Sequence, residues 1–199
     1  MSEPKPSDQP PGTRERLIAA MVDALRRRGL HGIGLTELLA QAGAPKGVLY
    51  HHFPGGKTEL AVAAIDDVVA RMLGWLDGLL ARNTDPVEAA RQWMQGATLR
   101  LSSTGFHAGC PLATVALEST PEDHALREAL ARAFATLRER IALALEAAGE
   151  PPESARGVAA LIVATYEGGL LQARVAQSTE PIQQATHTLL TLLAARAAR

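Results

Sequence analysis

The sequence predicts an all-α protein, with an N-terminal three-helix head that contains a helix-turn-helix and a larger helical body behind it. Three observations carry this. Apolar residues recur at helical spacing along almost the whole chain, and no run alternates as a strand would. Capping residues, prolines and glycines punctuate that periodicity at intervals suited to helices of one to seven turns. Finally, Leu35 to Leu60, reading LTELLAQAGAPKGVLYHHFPGGKTEL, compresses two short helices around a glycine turn. With 199 residues and 47% apolar content, the chain has material for a substantial core and is not a disordered protein.

The elements follow in order. Residues 1–12 are polar and proline-rich and are expected to form a disordered arm. Thr13 is expected to cap a first helix whose inner stripe is Leu17, Ile18, Met21, Val22 and Leu25, and which Gly29 ends. A short helix from Leu35 to Ala42 follows, stopped by Gly43, which is free to take the left-handed conformation. Pro45 presets the backbone of the next, which runs to about Phe53 before Pro54, Gly55 and Gly56 break it. These helices complete a head over residues 13–57, leaving residues 58–199 as the body.

A long helix from Lys57 to about Ala81 carries Ile65, Val68, Met72, Trp75, Leu76 and Leu79 on one face, and is expected to connect head to body as a lever. Asp85, Pro86 and Glu88 make a helix start, opening a helix to about Ser103, and a short helix is expected near Pro111. Thr120 and Pro121 repeat the start signal ahead of a long amphipathic helix that ends near Gly149. The last two helices, from about Glu153 to Gln177 and from Pro181 to Ala197, hold more apolar surface than one body needs to cover. They are the expected meeting point of two identical chains, with Leu170 and Leu189 as interface positions and Gly168 and Gly169 admitting a close neighbour.

The second short helix is the candidate DNA reader. At about 100° per residue, Leu49 and Phe53 turn inward and Gly47, Val48, Tyr50 and His51 turn outward. Lys46 places charge at its leading end, Gly47 allows close backbone approach, Tyr50 offers a hydroxyl to a phosphate, and Val48 suits a thymine methyl. His52 beside them and Thr36 on the preceding helix complete the expected contact set, with Lys57, whose ammonium is expected to share a phosphate with the free N–H groups of its own helix. A solvated helical hairpin that binds nothing is the plainer reading of two short helices. Lysine usage favours the first: of three lysines, against seventeen arginines, two fall in this segment.

Net charge of −1 hides an asymmetry. Between Thr13 and Lys57, Arg14, Arg16, Arg26, Arg27, Arg28, Lys46 and Lys57 face only Glu15, Asp23 and Glu37, and the remainder is acidic. A local basic patch supplies the counterion-release contribution to DNA binding. The longest apolar runs, VAALIVA and LLTLLAA, are too short for a membrane span, and the N-terminus has no apolar signal core, so a cytoplasmic protein without membrane partners is expected. One cysteine, Cys110, excludes an internal disulfide. His107 with Cys110, and His51 with His52, fall short of the ligand sets zinc requires, so no metal and no cofactor are expected. A helical enzyme using Cys110 with His107 as base is the alternative from another class, but no orienting carboxylate accompanies them in sequence.

The order of residues in the head resembles the TetR family of bacterial transcriptional regulators: Gly29, Leu30, Leu35, Leu38, Ala42, Gly43, Lys46, Gly47, Leu49, Tyr50, Phe53, Lys57 and Leu60 follow its pattern. PKGVLYHHFPGGKTEL and the later GCPLATVALE at Gly109 to Glu118 resemble the LmrA-type branch, whose repressors respond to drugs and plant phenolics. Two positions depart. Gly34 stands where the family has a capping Thr or Ser, and Val48 where many members have Ser or Thr, so no operator sequence carries over. The resemblance implies a dimer joined by a four-helix interface, bound to a palindromic operator, and Gly109, Cys110 and Pro111 shaping a turn beside a ligand cavity.

The residues themselves suggest what lines such a cavity. Five of the seven aromatic residues fall in the body, and Trp75, Trp93, Phe106, Phe134 and Tyr166, with Cys110 and Leu170, are the candidates for contact with a small apolar or aromatic effector. Plain core packing is the competing reading for each. Glu167 interrupts an apolar helix and needs a partner if buried, whether a ligand, Arg174 or Arg100. The function expected is therefore a dimeric repressor released from DNA by that effector, with a DNA-binding regulator lacking an inducer as the alternative.

Overall fold

The computed structural model describes residues 11–197, so nearly all of the arm expected over residues 1–12 lies outside the described residues. Among these are nine α-helices and no strand: α1 (Thr13–Arg28), α2 (Leu35–Ala42), α3 (Lys46–His52), α4 (Gly56–Leu80), α5 (Pro86–Ser103), α6 (Pro111–Glu118), α7 (His124–Ala147), α8 (Pro152–Ala176) and α9 (Glu180–Ala197). The all-α expectation and the order of elements hold.

The first three helices pack on one another through Leu17, Met21, Leu25, Ile33, Leu38, Leu49 and Phe53, all wholly or almost wholly buried. Each such side chain contributes roughly 1.5–3 kcal/mol of burial, enough to make a small head cooperative. Gly43 adopts φ 58° and returns its N–H to Ala40, closing α2 in the left-handed conformation that glycine takes without strain. Arg16 reaches across from α1 to the Ala42 carbonyl at 3.1 Å, and Arg28 pairs with Glu37 at 2.6 Å, so α2 is tied at both ends. The long α4 packs against α1 on one side and α7 on the other, while α8 lies between α7 and α9.

Several boundaries differ from the sequence expectation, each for a local reason. Gly12 is the residue preceding α1, with Glu15 folded back onto its N–H, and Thr13 is already helical. Pro45 is extended (φ −73°, ψ 153°) and precedes α3 rather than opening it. Asp123 accepts both the Thr120 N–H at 2.8 Å and the Thr120 hydroxyl at 3.0 Å, which holds Thr120–Asp123 in a turn and delays α7 to His124. At Asp85 the expectation is met: its carboxylate accepts the Val87 N–H at 2.8 Å.

The proposed interface positions need correction. Leu170 and Leu189 are 5% and 4% exposed, packed inside their own chain. A side chain at Gly169 would strike Ile182 of the same chain at 2.8 Å, so this glycine lets α8 and α9 approach each other, while Gly168 faces open space. The outward apolar residues on these helices are Leu161, Leu171, Val175 and Leu192, 45–80% exposed.

Candidate DNA-reading face and body cavity

Helix α3 presents its side chains as the periodicity requires. Leu49 and Phe53 are buried at 0% and 1%, while Lys46, Gly47 and His51 are exposed, Tyr50 is 46% exposed, and Val48 and His52 are half-buried at the edges. Thr36 is exposed on α2. Nothing occupies the space where a Gly47 side chain would stand, so the backbone there is open to a close-fitting surface. The Tyr50 ring rests against Gly56, where a Cβ would meet it at 3.3 Å, and the side chain is 46% exposed. Arg14 lies over the Phe53 ring, 5.3 Å from its centroid, keeping a guanidinium beside α3.

Lys57 has a different occupation from the one expected. Its Nζ donates to the Leu30 and Ile33 carbonyls, at 2.6 Å each, and so pins the turn between α1 and α2. Burial lowers its pKa and Glu118 works against that shift. Two of the three ammonium donors are therefore used within the chain.

The same turn is held from the body. Glu118, the last residue of α6, accepts the Leu30 N–H at 2.6 Å. Gly29 sits against that carboxylate at φ 76°, and a Cβ there would come within 1.9 Å of Glu118 Oε1, so the contact requires glycine. Two further bonds complete the seam: the Gly109 N–H to the Arg26 carbonyl at 3.1 Å, and Arg174 Nη2 to the Arg27 carbonyl at 3.2 Å. The carbonyls at the end of α1 are thus satisfied by the body rather than by solvent alone.

Behind the seam is a cavity of about 340 Å³, open at one side. Val68, Met72 and Trp75 of α4, Ala97, Arg100 and Leu101 of α5, Cys110 and Pro111 at the start of α6, and Tyr166 and Leu170 of α8 line it. Of the residues the sequence suggested, it brings together Trp75, Cys110, Tyr166 and Leu170. Glu167 lines a smaller neighbouring cavity of about 150 Å³ that shares Gly109, Cys110 and Leu170 with the first. Trp93, Phe106 and Phe134 line neither. Trp93 is fully buried behind Tyr166, the two rings stacked with centroids 4.1 Å apart, so it supports the wall instead of forming it. Phe106 is half-buried in the turn after α5, at φ 65°, and Phe134 is half-buried on α7.

Glu167 pairs with neither arginine. Its Oε1 accepts the Cys110 thiol at 3.2 Å, and its Oε2 is shielded from solvent with no partner. Burial pushes its pKa up to about 7, opposed by the Cys110 hydrogen bond. Burial and the adjacent carboxyl also hold the Cys110 thiol well above its ordinary range, which suits an inert packing residue and not a nucleophile. Sequence reasoning missed Arg26, Arg71, Arg100 and Met72 as cavity residues. A signal existed: Arg71 and Trp75, and Ala97, Arg100, Leu101 and Thr104, share helical faces at three- and four-residue spacing.

Together, the buried three-helix head, its exposed short helix and the body seam define a helix-turn-helix head joined to a helical body. Residues 17–64 match the model of bacterial regulatory proteins of the tetR family, and residues 86–188 match the C-terminal domain of LmrA/YxaF-like transcriptional regulators. The chain belongs to the TetR family of transcriptional regulators, in its LmrA/YxaF-like branch. It is 35% identical over 192 residues to an HTH-type transcriptional regulator of Mycobacterium tuberculosis, covering 92% of this chain and 95% of the relative. It is 28% identical over 170 residues to the HTH-type transcriptional regulator LmrA of Bacillus subtilis, covering 85% and 90%. In fold it is similar to the TetR family regulator CifR, solved as a cysteine mutant complexed with 26bp double-strand operator DNA, with a TM-score of 0.77, 18% identity and coverage of 96% and 98%. No helix among the described residues is long and apolar enough to cross a membrane.

Proposed function

We propose that this chain is a homodimeric cytoplasmic repressor that binds a palindromic operator and leaves it when a small apolar or aromatic molecule enters the body cavity. The observation that carries the reading is α6. This eight-residue helix starts at the cavity wall, immediately after Cys110, and ends on the α1–α2 turn through Glu118. A ligand that displaces its first turn moves the residue that holds the head.

In this reading residues 13–57 form the head and residues 58–199 the body. Lys46, Gly47, Val48, Tyr50, His51 and His52 face the major groove, with Thr36 on the adjoining phosphates. Lys57 contributes mainly by fixing the turn, with one donor left for a phosphate at the start of α4. The operator-bound structure of CifR supports this docking by its fold. One α3 helix, 7 residues long, spans only a few base pairs, so two heads related by a twofold axis are needed for a specific site. Leu161, Leu171 and Leu192 on α8 and α9 supply the apolar face for that association.

The test is fluorescence anisotropy on duplexes selected from a random pool, with and without candidate effectors from a phenolic and drug library. Saturable binding of two chains to a palindrome, weakened by a compound, is the expected result. Coupling must be reciprocal, so operator should weaken that compound by the same factor. Tight operator binding that no compound in the library alters would favour a regulator without an inducer. Binding of one chain per duplex would contradict the dimer.

A further inference from the structure

The charge around the cavity does not match that of a simple apolar hole. Arg26, Arg71 and Arg100 all line it, and they come from α1, α4 and α5, so tertiary packing and not a charge run brings them together. The lining contains no carboxylate. Among the described residues, Arg71 faces Asp67 at 2.8 Å, while neither Arg26 nor Arg100 is within ion-pair distance of an acidic side chain. Asp67 pairs with one of the three guanidiniums and Glu167 stands in the adjoining cavity on Cys110, so two of the three guanidiniums in this lining have no ion-pair partner. Arg100 is stacked over the Trp75 ring, 4.3 Å from its centroid, and also interacts with the Tyr166 hydroxyl, which together order the guanidinium and leave further N–H donors for a ligand.

The remaining lining is different in kind. Val68, Met72, Trp75, Ala97, Leu101 and Leu170 make an apolar wall that can hold a hydrocarbon or aromatic body. Pre-positioned guanidiniums at its edge favour a planar oxyanion, which accepts paired N–H bonds that a neutral molecule of the same shape accepts less well. We propose that the cavity takes an organic anion, an aryl or alkyl carboxylate or its equivalent, with the apolar body against Trp75 and Met72 and the anionic head received by Arg71, Arg100 and Arg26. This rests on the proposed reading of the cavity as the effector site and names the chemical class of its ligand.

The experiment uses the full chain and three probe pairs: benzoate, 2-naphthoate and biphenyl-4-carboxylate, each against its primary amide. Calorimetry and tryptophan fluorescence measure binding; anisotropy on the selected operator measures release. At least one acid is expected to bind tenfold or more tighter than its amide, with the advantage shrinking as salt is raised. Arg71→Gln and Arg100→Gln should erase most of it, and Arg100→Lys should retain part, all three melting as wild type does. Equal binding of acid and amide would overturn the anion assignment while leaving the cavity as an effector site. Selective binding of an acid with no change in operator affinity would support the anion site and overturn its role in release. No binding by any probe overturns the assignment, and so does loss of operator affinity in the arginine variants before any probe is added, which would give these side chains to DNA phosphates.

Discussion

The head and the body treat their polar groups in opposite ways. In the head, polar side chains that are not bonded internally lie outside, on the face made by Lys46, Tyr50 and His51, and the internal ones are satisfied: Arg16 on Ala42, Lys57 on Leu30 and Ile33. In the body, shielded polar atoms remain without partners, Glu167 Oε2 and Trp93 Nε1 among them. A buried unpaired group costs roughly 1–3 kcal/mol, so a fold keeps one only where something offsets it or where it serves binding. The head thus spends its internal hydrogen-bonding groups on its own fold, while the body retains unspent capacity around its cavities.

The largest expected effect concerns the surface that neither region satisfies alone. Leu161→Glu combined with Leu192→Glu places two charges per chain on the exposed apolar face of α8 and α9. Dimerisation should weaken at least a thousandfold, about 4 kcal/mol, with the monomer fold intact. Sedimentation velocity across a concentration series checks this, and an unaltered dimer would place the interface elsewhere. The same charges at Leu170 or Leu189 would unfold the body, since both are internal.

Next in size is Lys57→Met, which asks whether the head is as fully satisfied as its geometry indicates. Two charge-assisted hydrogen bonds disappear and two carbonyls lose their partners, for an expected loss of about 3 kcal/mol. Hydrogen exchange should show the loss concentrated in α1 and α2. If only operator affinity falls, with exchange unchanged, the lysine acts on phosphate and not on the turn.

Glu167→Gln sharpens the other side of the comparison. A carboxyl raised to about 7 in the fold from an ordinary value of 4.5 stabilises most when neutral. The native state then binds more protons than the unfolded state between those values, so this contribution is full below about pH 4.5 and is lost as pH rises to about 7. Urea melts should show wild type losing about 3 kcal/mol relative to the glutamine variant across that window. Parallel pH profiles would mean that Glu167 ionises as freely in the fold as in the unfolded chain.

How much of this was legible in the sequence depends on whether the signal was local. The rotation of α3 was, because Leu49 and Phe53 fix which of its side chains turn inward by helical periodicity alone. Asp85 was, because a cap bonds two residues along. The cavity was legible only in part. Trp75, Tyr166, Cys110 and Leu170 reach it, but a ring stack between α5 and α8 places Trp93 behind Tyr166, and Arg26, Arg71 and Arg100 converge from three helices. Lys57 stands at a helix start, where position points to a phosphate, yet its length lets it cross to carbonyls 24 and 27 residues away. Local pattern shows which face a residue takes; it does not show what stands opposite.

The smallest expected effect is on the reading face itself, where Tyr50→Ala and Lys46→Ala separate two kinds of phosphate contact. Tyr50 is neutral and supported by the Gly56 turn, so its removal costs a positioned hydroxyl and little stability. Operator affinity should fall about tenfold, or 1.4 kcal/mol, and non-specific duplex should weaken comparably, because phosphate contacts carry no sequence information. The dependence of log affinity on log salt should stay the same, since no counterion is released by a phenol. Lys46→Ala should weaken binding by a similar factor at low salt but reduce that slope by about one. Titrations of both variants at four salt concentrations decide the matter. A slope change in Tyr50→Ala, or none in Lys46→Ala, would mean that α3 does not present these two side chains to the DNA backbone.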